Sequence, residues 1–250
     1  MTLKTLDSAL ALLSCFTVQQ PAWGVRALAK HSGVHPAVVH RVLATFAANG
    51  FLVQDVESGR YSLGLRLFEL GQVVRKTFSP AEVVQPILRT LAEQSGETVF
   101  LSWLDGEDGL CVGIEQSQHQ LRFSIELGQR FPLYAGAHAK AILAFQDEEA
   151  CDHAYERGLA EDAANIPNKD VFKARLAKIR EEGYAYTHGE SSANVAGLAL
   201  PLRGRGSTSV IGSICIAGLD TRLTPTAVPA LLEPLSNAVR LLRDVVGFAA

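Results

Sequence analysis

In the first third of the chain, the side chains best suited to chemistry are His35, His40, Arg41 and Thr45. They are set among Pro36 and Ala37 in the run HPAVVHRVLATF. Pro36 and His40 are four residues apart, as are Ala37 and Arg41, and Thr45 follows one turn later. Such spacing puts these residues on one side of a helix and leaves the other side to Val39, Val42 and Phe46. A guanidinium presented this way bonds a phosphate or, through two parallel hydrogen bonds, a guanine edge. An imidazole donates to either. Arg60, in the run ESGRYS, suits a phosphate or a minor-groove edge. The competing account makes Arg41 and Arg60 ordinary solvated charges, and the surrounding elements decide between the two.

Leu3, Leu6, Leu10, Leu13 and Phe16 recur at helical spacing and predict a helix over residues 3–17. QQPAWG breaks it. Val25, Leu28 and Ala29 predict a short second helix ended by Gly33, and Pro36 opens a third at its first turn, where the missing N–H is harmless. Asn49-Gly50 ends that third helix. Phe51, Val53 and Val56 on one arm, with Tyr61 and Leu63 on the other, flank a Ser58-Gly59 turn and predict a hairpin. Three short helices and a hairpin make a winged helix-turn-helix pattern, in which the start of the last helix enters the major groove of DNA. That context favours the groove-facing account, more strongly for Arg41 than for Arg60. Charge agrees: residues 1–78 carry a net +4 and residues 79–250 a net −7, which points to a polyanion partner for the first part only.

The remainder reads as α+β. GLRLFELGQVVRKTF predicts a linker helix, with a boundary near 79–80 where Ser79 caps a helix over 80–95. VFLSWL and LCVGIE predict strands joined by DGEDG, and LRFSIE a third strand. The loop LGQRFPLYAG then leads into a helix over AHAKAILAF. Acidic helices follow near 147–157 and 169–182. GYAYTH, VAGLALPL and VIGSICIAGL predict three more strands, and a last helix runs from about 225 to 246. Antiparallel strands flanked by helices make a layered α+β domain.

Composition and motifs set limits. Hydrophobic residues at 48% and charged residues at 20% fit a globular protein, and no apolar run reaches a membrane span. Asp7 and the lack of a small-residue cleavage site argue against a signal peptide. Cys15, Cys111, Cys151 and Cys215 are far apart, with no C-x-x-C pair, which fits a reducing cytoplasm and no disulfide framework. His31, His35 and His40 span a turn and two helices without a nearby Cys or carboxylate, so no metal is expected. No nucleophile motif surrounds Cys111, no G-x-S-x-G elbow occurs, and ALPLRGRGSTS lacks the P-loop lysine pattern. The expectation is therefore a non-enzyme without a cofactor. The alternative is a ligand-sensing or hydrolase-like α+β domain that does not bind DNA sequence-specifically.

Several strings, in order and along nearly the whole chain, carry a resemblance: LDSALALL, LAKHSGVHPAVVHRVLATFAANGFL, GRYSLG, PLYAGAHAKAILA, GYAYTHGE, ALPL and ICIAGLDTRLT. Together they resemble the IclR family of bacterial transcriptional regulators. The resemblance implies a winged helix-turn-helix over 1–63, a linker helix over 64–79, and a GAF-like effector-binding and oligomerisation domain over 80–250. It also implies a homodimer or a dimer of dimers that binds a palindromic double-stranded DNA operator under control of a small-molecule effector, with no membrane partner. The family usually has Ser-Thr near the start of the reading helix where this chain has Ala37 and Val38, so the operator sequence does not carry over.

The resemblance places an effector pocket between the sheet and PLYAGAHAKAILA. Its residues would be Tyr134, Gly136, Ala137, His138 and Ala139, then Thr187 and His188, Val195 and Gly197, and Cys215 and Ala217, with Trp103 as a further candidate. Free N–H groups at that helix start suit an anionic ligand. Thr187, Cys215 and Ala217 stand where carboxylate-binding relatives have an acid and serines. The more apolar, aromatic lining points to an aromatic acid, with His138 the strongest single candidate.

Overall fold

A computed structural model describes residues 3–78, 81–204 and 208–245. The chain divides into two compact units, Met1–Arg75 and Lys76–Ala250. Ser79, residues 205–207 of the Gly/Arg loop and residue 246, the expected end of the last helix, lie outside the described residues.

The first unit contains α1 (Lys4–Leu13), β1 (Ala22–Trp23), α2 (Val25–Ser32), α3 (Pro36–Ala48), β2 (Leu52–Gln54) and β3 (Tyr61–Leu63). Leu12, Phe16, Leu28, Val39, Leu43, Leu52 and Tyr61 form its core. α1 stops four residues short of expectation. A turn closed by mutual Thr17–Gln20 backbone bonds reverses the chain, and the Trp23 indole N–H donates to the Cys15 carbonyl at 2.8 Å. Phe16 still reaches the core from outside the helix. QQPAWG, read as a break, contributes β1, which pairs with β3 in the sheet order β1-β3-β2. Gly33 ends α2 in the left-handed region (φ 71°), the conformation its missing Cβ permits, and its N–H bonds the Ala29 carbonyl.

The hairpin forms with Tyr61 inward on its second arm, but the first arm turns the opposite face to the core. Leu52 is buried while Val53 is 55% and Val56 96% exposed. The cause is the close approach of Gly64 to Gly50: a Cβ on Gly64 would lie 2.2 Å from the Gly50 oxygen. With the Gly64 N–H bonded to the Phe51 carbonyl, Leu52 is set opposite Leu63. A register fixed in this way decides which side chains face the core.

α4 (Leu65–Phe78) follows. The second unit contains α5 (Ala81–Ser95), β4 (Thr98–Asp105), β5 (Asp108–Glu115), β6 (Arg130–Pro132), α6 (Ala137–Leu143), α7 (Glu148–Asp162), α8 (Lys169–Glu182), β7 (Ala185–His188), β8 (Val195–Arg203), β9 (Val210–Leu219) and α9 (Val228–Val245). The sheet order is β6-β5-β4-β9-β8-β7, every pair antiparallel. Strand alternation sorts the residues into two cores. Val99, Leu101, Trp103, Leu198, Ile214 and Ile216 meet Leu88 and Leu91 of α5 and Leu235 and Leu242 of α9. Phe100, Ala199 and Cys215 meet Ile142 of α6, Tyr155 of α7 and Phe172 of α8 on the other side.

LRFSIE is not a strand. The short strand on that edge is β6, whose Arg130 lies opposite Leu110 and Pro132 opposite Asp108. Residues 121–126 cross the sheet's end: Phe123 gives its carbonyl to the Thr98 hydroxyl at 3.0 Å and stacks on Phe100, and Ile125 turns inward. An alternating sequence needs a partner edge to become a strand, and β6 holds that edge.

Candidate nucleic-acid interface and effector cavity

α3 is built for presentation. Pro36 fixes its first turn, and the His35 ring caps it, Nδ1 accepting from the Ala37 N–H at 3.3 Å. Val39 and Leu43 are buried, whereas Ala37, His40, Arg41 and Thr45 are all exposed. The stripe holds no acidic residue, and Arg41 has no ion-pair partner among the described residues. The Thr45 hydroxyl donates back to the Arg41 carbonyl at 2.8 Å, which leaves its oxygen free to accept. His31 stacks on Trp23 at 5.0 Å, and among the described residues no group of three metal-binding side chains converges.

Arg60 is exposed, and its guanidinium donates to the Ala22 carbonyl at 2.5 Å, which ties the hairpin to β1. The turn beside it is acidic: Asp55 accepts from both the N–H and the hydroxyl of Ser58, bonds that hold its carboxyl below the usual range.

In the second unit, α6 starts where the polypeptide turns over the sheet. Gly136 takes φ 88°, and its N–H donates to the Glu190 carboxylate at 3.1 Å. The anion expected at this helix start is therefore the chain's own. Glu190 also takes the Lys140 ammonium at 2.7 Å and Arg175 at 3.3 Å. Lys140 is 97% buried, and burial lowers its pKa while Glu190 pushes it back up.

The expected pocket residues separate into groups. Ala137, Ala139, Gly197, Cys215 and Ala217 form a seam between helix and sheet rather than a pocket wall. A Cβ on Gly197 would lie 3.0 Å from that of Ala137, and burial drives the Cys215 thiol pKa far up. Trp103 faces α5 and α9, because it lies three positions after Phe100 on a strand where neighbours alternate faces. His188 also leaves the pocket: it shares a face with Tyr186, is largely exposed, and pairs with Asp220 at 3.0 Å. Thr187 faces the α6 side, and it and His188 both line a separate cavity of about 490 Å³ with Lys140 and Arg175.

Tyr134, His138 and Val195 do come together. They line a cavity of about 550 Å³ with Arg122, Phe123 and Phe131, and with Ser191 and Ser192. Most of its charged side chains have partners within the chain. Arg130 pairs with Asp105 and, at 3.7 Å, with Asp108; Asp162 accepts from Asn165; Glu190 is held as described. Arg122 donates to the His119 carbonyl at 3.3 Å, and no described carboxylate lies within ion-pair distance of it. His138 is 6% exposed and packs edge-on against Phe131 at 4.3 Å and Phe100 at 5.2 Å. Burial lowers its pKa from 6.5 to about 4, so the ring is neutral at pH 7. The hydroxyl of Tyr134 donates to Glu161 at 3.0 Å.

Sequence spacing does not single out Arg122, Phe123 and Phe131, because LRFSIE has the alternation of a strand and LGQRFPLYAG the composition of a loop. The signal that was available is the cluster of aromatic and basic residues over 122–134.

Known proteins share this architecture. The IclR helix-turn-helix domain matches residues 5–56, and the bacterial transcriptional regulator IclR C-terminal domain matches residues 76–243. The chain is 27% identical to HTH-type transcriptional regulator KipR of Bacillus subtilis, with 98% of each chain covered. It is 29% identical to Transcriptional repressor IclR of Escherichia coli, over 90% of this chain and 83% of that one. The crystal structure of a putative IclR transcriptional regulator from Silicibacter superimposes with a TM-score of 0.86 at 25% identity, covering 98% and 97% of the two chains. An IclR homologue from Microbacterium hydrocarbonoxydans, crystallised with 4-hydroxybenzoate, shares the fold with a TM-score of 0.81 at 19% identity, over 96% and 98%. No described helix is long and apolar enough to cross a membrane.

Proposed function

Because the chain belongs to the IclR family of bacterial transcriptional regulators, we propose that α3 reads a palindromic operator as part of a homodimer or a pair of dimers, in the cytoplasm, and that a small aromatic acid in the cavity beside His138 changes its affinity for DNA. His35, Pro36, Ala37, His40, Arg41 and Thr45 supply the reading surface, with Arg41 the principal cation. Arg60 braces the hairpin, and its remaining donors meet a phosphate.

One observation carries the ligand half: a cavity with aromatic walls holds a cation, Arg122, that no described carboxylate engages. The effector's ring lies among Phe123, Phe131, Tyr134, His138 and Val195, and its carboxylate goes to Arg122. The volume of about 550 Å³ is in the range of small-molecule sites. The homologue crystallised with 4-hydroxybenzoate supports the same ligand class. The ligand alters DNA affinity by binding two arrangements of the protein unequally.

A thermal-shift screen of the full chain against small carboxylates tests this. An effector that binds only the folded protein raises its melting temperature by mass action, by about 2.7 kcal/mol of added stability at a hundred times Kd. Aromatic acids should give the shift, and Arg122→Ala should reduce it at least ten-fold in ligand concentration. A panel in which only aliphatic acids act, or a shift indifferent to Arg122, sinks the assignment.

A further inference from the structure

We infer that His35, at the head of α3, reads a guanine in each operator half-site by donating its Nε2–H to the N7 acceptor, an inference that rests on the reading in which α3 enters the major groove. A helix start ordinarily has backbone N–H groups without intrahelical partners, and such groups meet phosphates on DNA. The first turn of α3 has none to spare. Pro36 has no N–H, the Ala37 N–H goes to the His35 ring, and the N–H groups of Val38 and Val39 go to the His35 carbonyl at 2.9 and 3.1 Å. The side chains there add no donor either, since Pro36, Ala37, Val38 and Val39 are all apolar. The donor that this end of the helix offers to DNA is therefore the exposed ring of His35.

The cap determines what that ring presents. An imidazole nitrogen that accepts a hydrogen bond carries no hydrogen, so the ring's N–H is on the other nitrogen. Nδ1 accepts from the Ala37 N–H at 3.3 Å, which puts the hydrogen on Nε2, and no described residue takes it. The same bond restricts the ring. A donor oriented before DNA arrives loses little freedom on binding.

A lone donor distinguishes between bases. Guanine presents two adjacent acceptors, N7 and O6, to the major groove. Adenine sets an amino donor beside its N7, cytosine offers an amino donor alone, and thymine offers one acceptor beside a methyl group. The Nε2–H fits guanine best and opposes cytosine. A base edge is favoured over a phosphate because the first residues of the second helix are the ones that meet base edges in a helix-turn-helix. Exposed Pro36 and Ala37 flank the ring with apolar surface, which suits a base edge and gives a phosphate no second donor. His35 precedes Arg41 by about 9 Å along the helix axis, so the two side chains reach different base pairs.

The experiment is selection of the full chain on random-sequence duplexes, wild type against His35→Ser, followed by binding to the enriched operator with 7-deazaguanine in place of the guanine. Serine still caps the Ala37 N–H but lacks the ring donor. The wild type should enrich a guanine at one position of each half-site, and 7-deazaguanine there, which pairs normally but has no N7 acceptor, should weaken its binding about ten-fold. His35→Ser should lose the preference at that position alone, keep the rest of the sequence, and bind the guanine and 7-deazaguanine operators equally. The 7-deazaguanine loss in the wild type is read without any variant having to fold. An unchanged preference in His35→Ser makes the residue a cap and nothing more, and overturns the inference. So does a uniform loss of affinity across all sequences, which marks a phosphate contact, or an operator on which 7-deazaguanine is without effect. Each of these leaves the groove reading of α3 intact. If the wild type enriches no sequence, the reading and the inference fall together.

Discussion

Acid should unfold the second unit partly through one imidazole. His138 titrates near 6.5 in the unfolded chain and at about 4 when folded, because burial disfavours its charged form. Above pH 6.5 both states hold it neutral and it has no effect on stability. Between 6.5 and 4 the unfolded chain binds a proton that the folded chain refuses, so stability falls as pH falls through this window and levels off below it. The full span corresponds to about 3 kcal/mol, of which about 2 is lost by pH 5. That is a sizeable share of a typical domain's 5–15 kcal/mol. Amide hydrogen exchange of β8 and β9, measured from pH 7 to 4.5 and corrected for intrinsic rates, follows the unit's opening free energy. His138→Phe removes this proton while leaving every carboxylate in place, so the contributions of Asp and Glu cancel in the difference. The wild type should lose about 2 kcal/mol more than the variant between pH 7 and 5. Parallel losses in the two proteins would refute the burial argument.

Two further perturbations probe other parts of the structure. Glu190→Ala strands the 97%-buried Lys140 ammonium and should destabilise the second unit by about 3–5 kcal/mol in a denaturant titration, whereas Glu190→Gln with Lys140→Met should recover most of the loss. Gly64→Ala puts a Cβ against the Gly50 carbonyl and should cost the first unit about 1–3 kcal/mol or unfold it. An unchanged melting temperature would mean that the Gly50–Gly64 approach does not set the hairpin register.

Local chemistry made the first unit legible. Gly33, Pro36 and Asn49-Gly50 punctuate its helices within a few residues of where they act, and the outward stripe of α3 follows from spacing alone. The hairpin's face was not legible in this way. Phe51 and Val53 alternate as well as Leu52 and Gln54 do, and the choice rests on a contact between Gly50 and Gly64, fourteen positions apart in the sequence. In the second unit the apolar strands could be found from composition, but the side each residue faces could not. Trp103 and His188 are in strands as expected and face the other way, because one residue of phase reverses a side chain. Family likeness places Gly197, Cys215 and Ala217 in a pocket wall. Their small size instead lets α6 lie directly on the sheet. Arg122 was hidden inside an alternating string whose pairing edge β6 occupies.

The central claim is that the acid-free face of α3 reads DNA. Selection of the full chain on random-sequence duplexes, repeated with Arg41→Ala, tests it most directly. The wild type should enrich a palindromic sequence. The variant should show either relaxed specificity at one position of each half-site, or uniformly weaker binding with a salt slope reduced by about one. No enriched sequence, or the same sequence enriched with the same affinity and salt slope by Arg41→Ala, would contradict it.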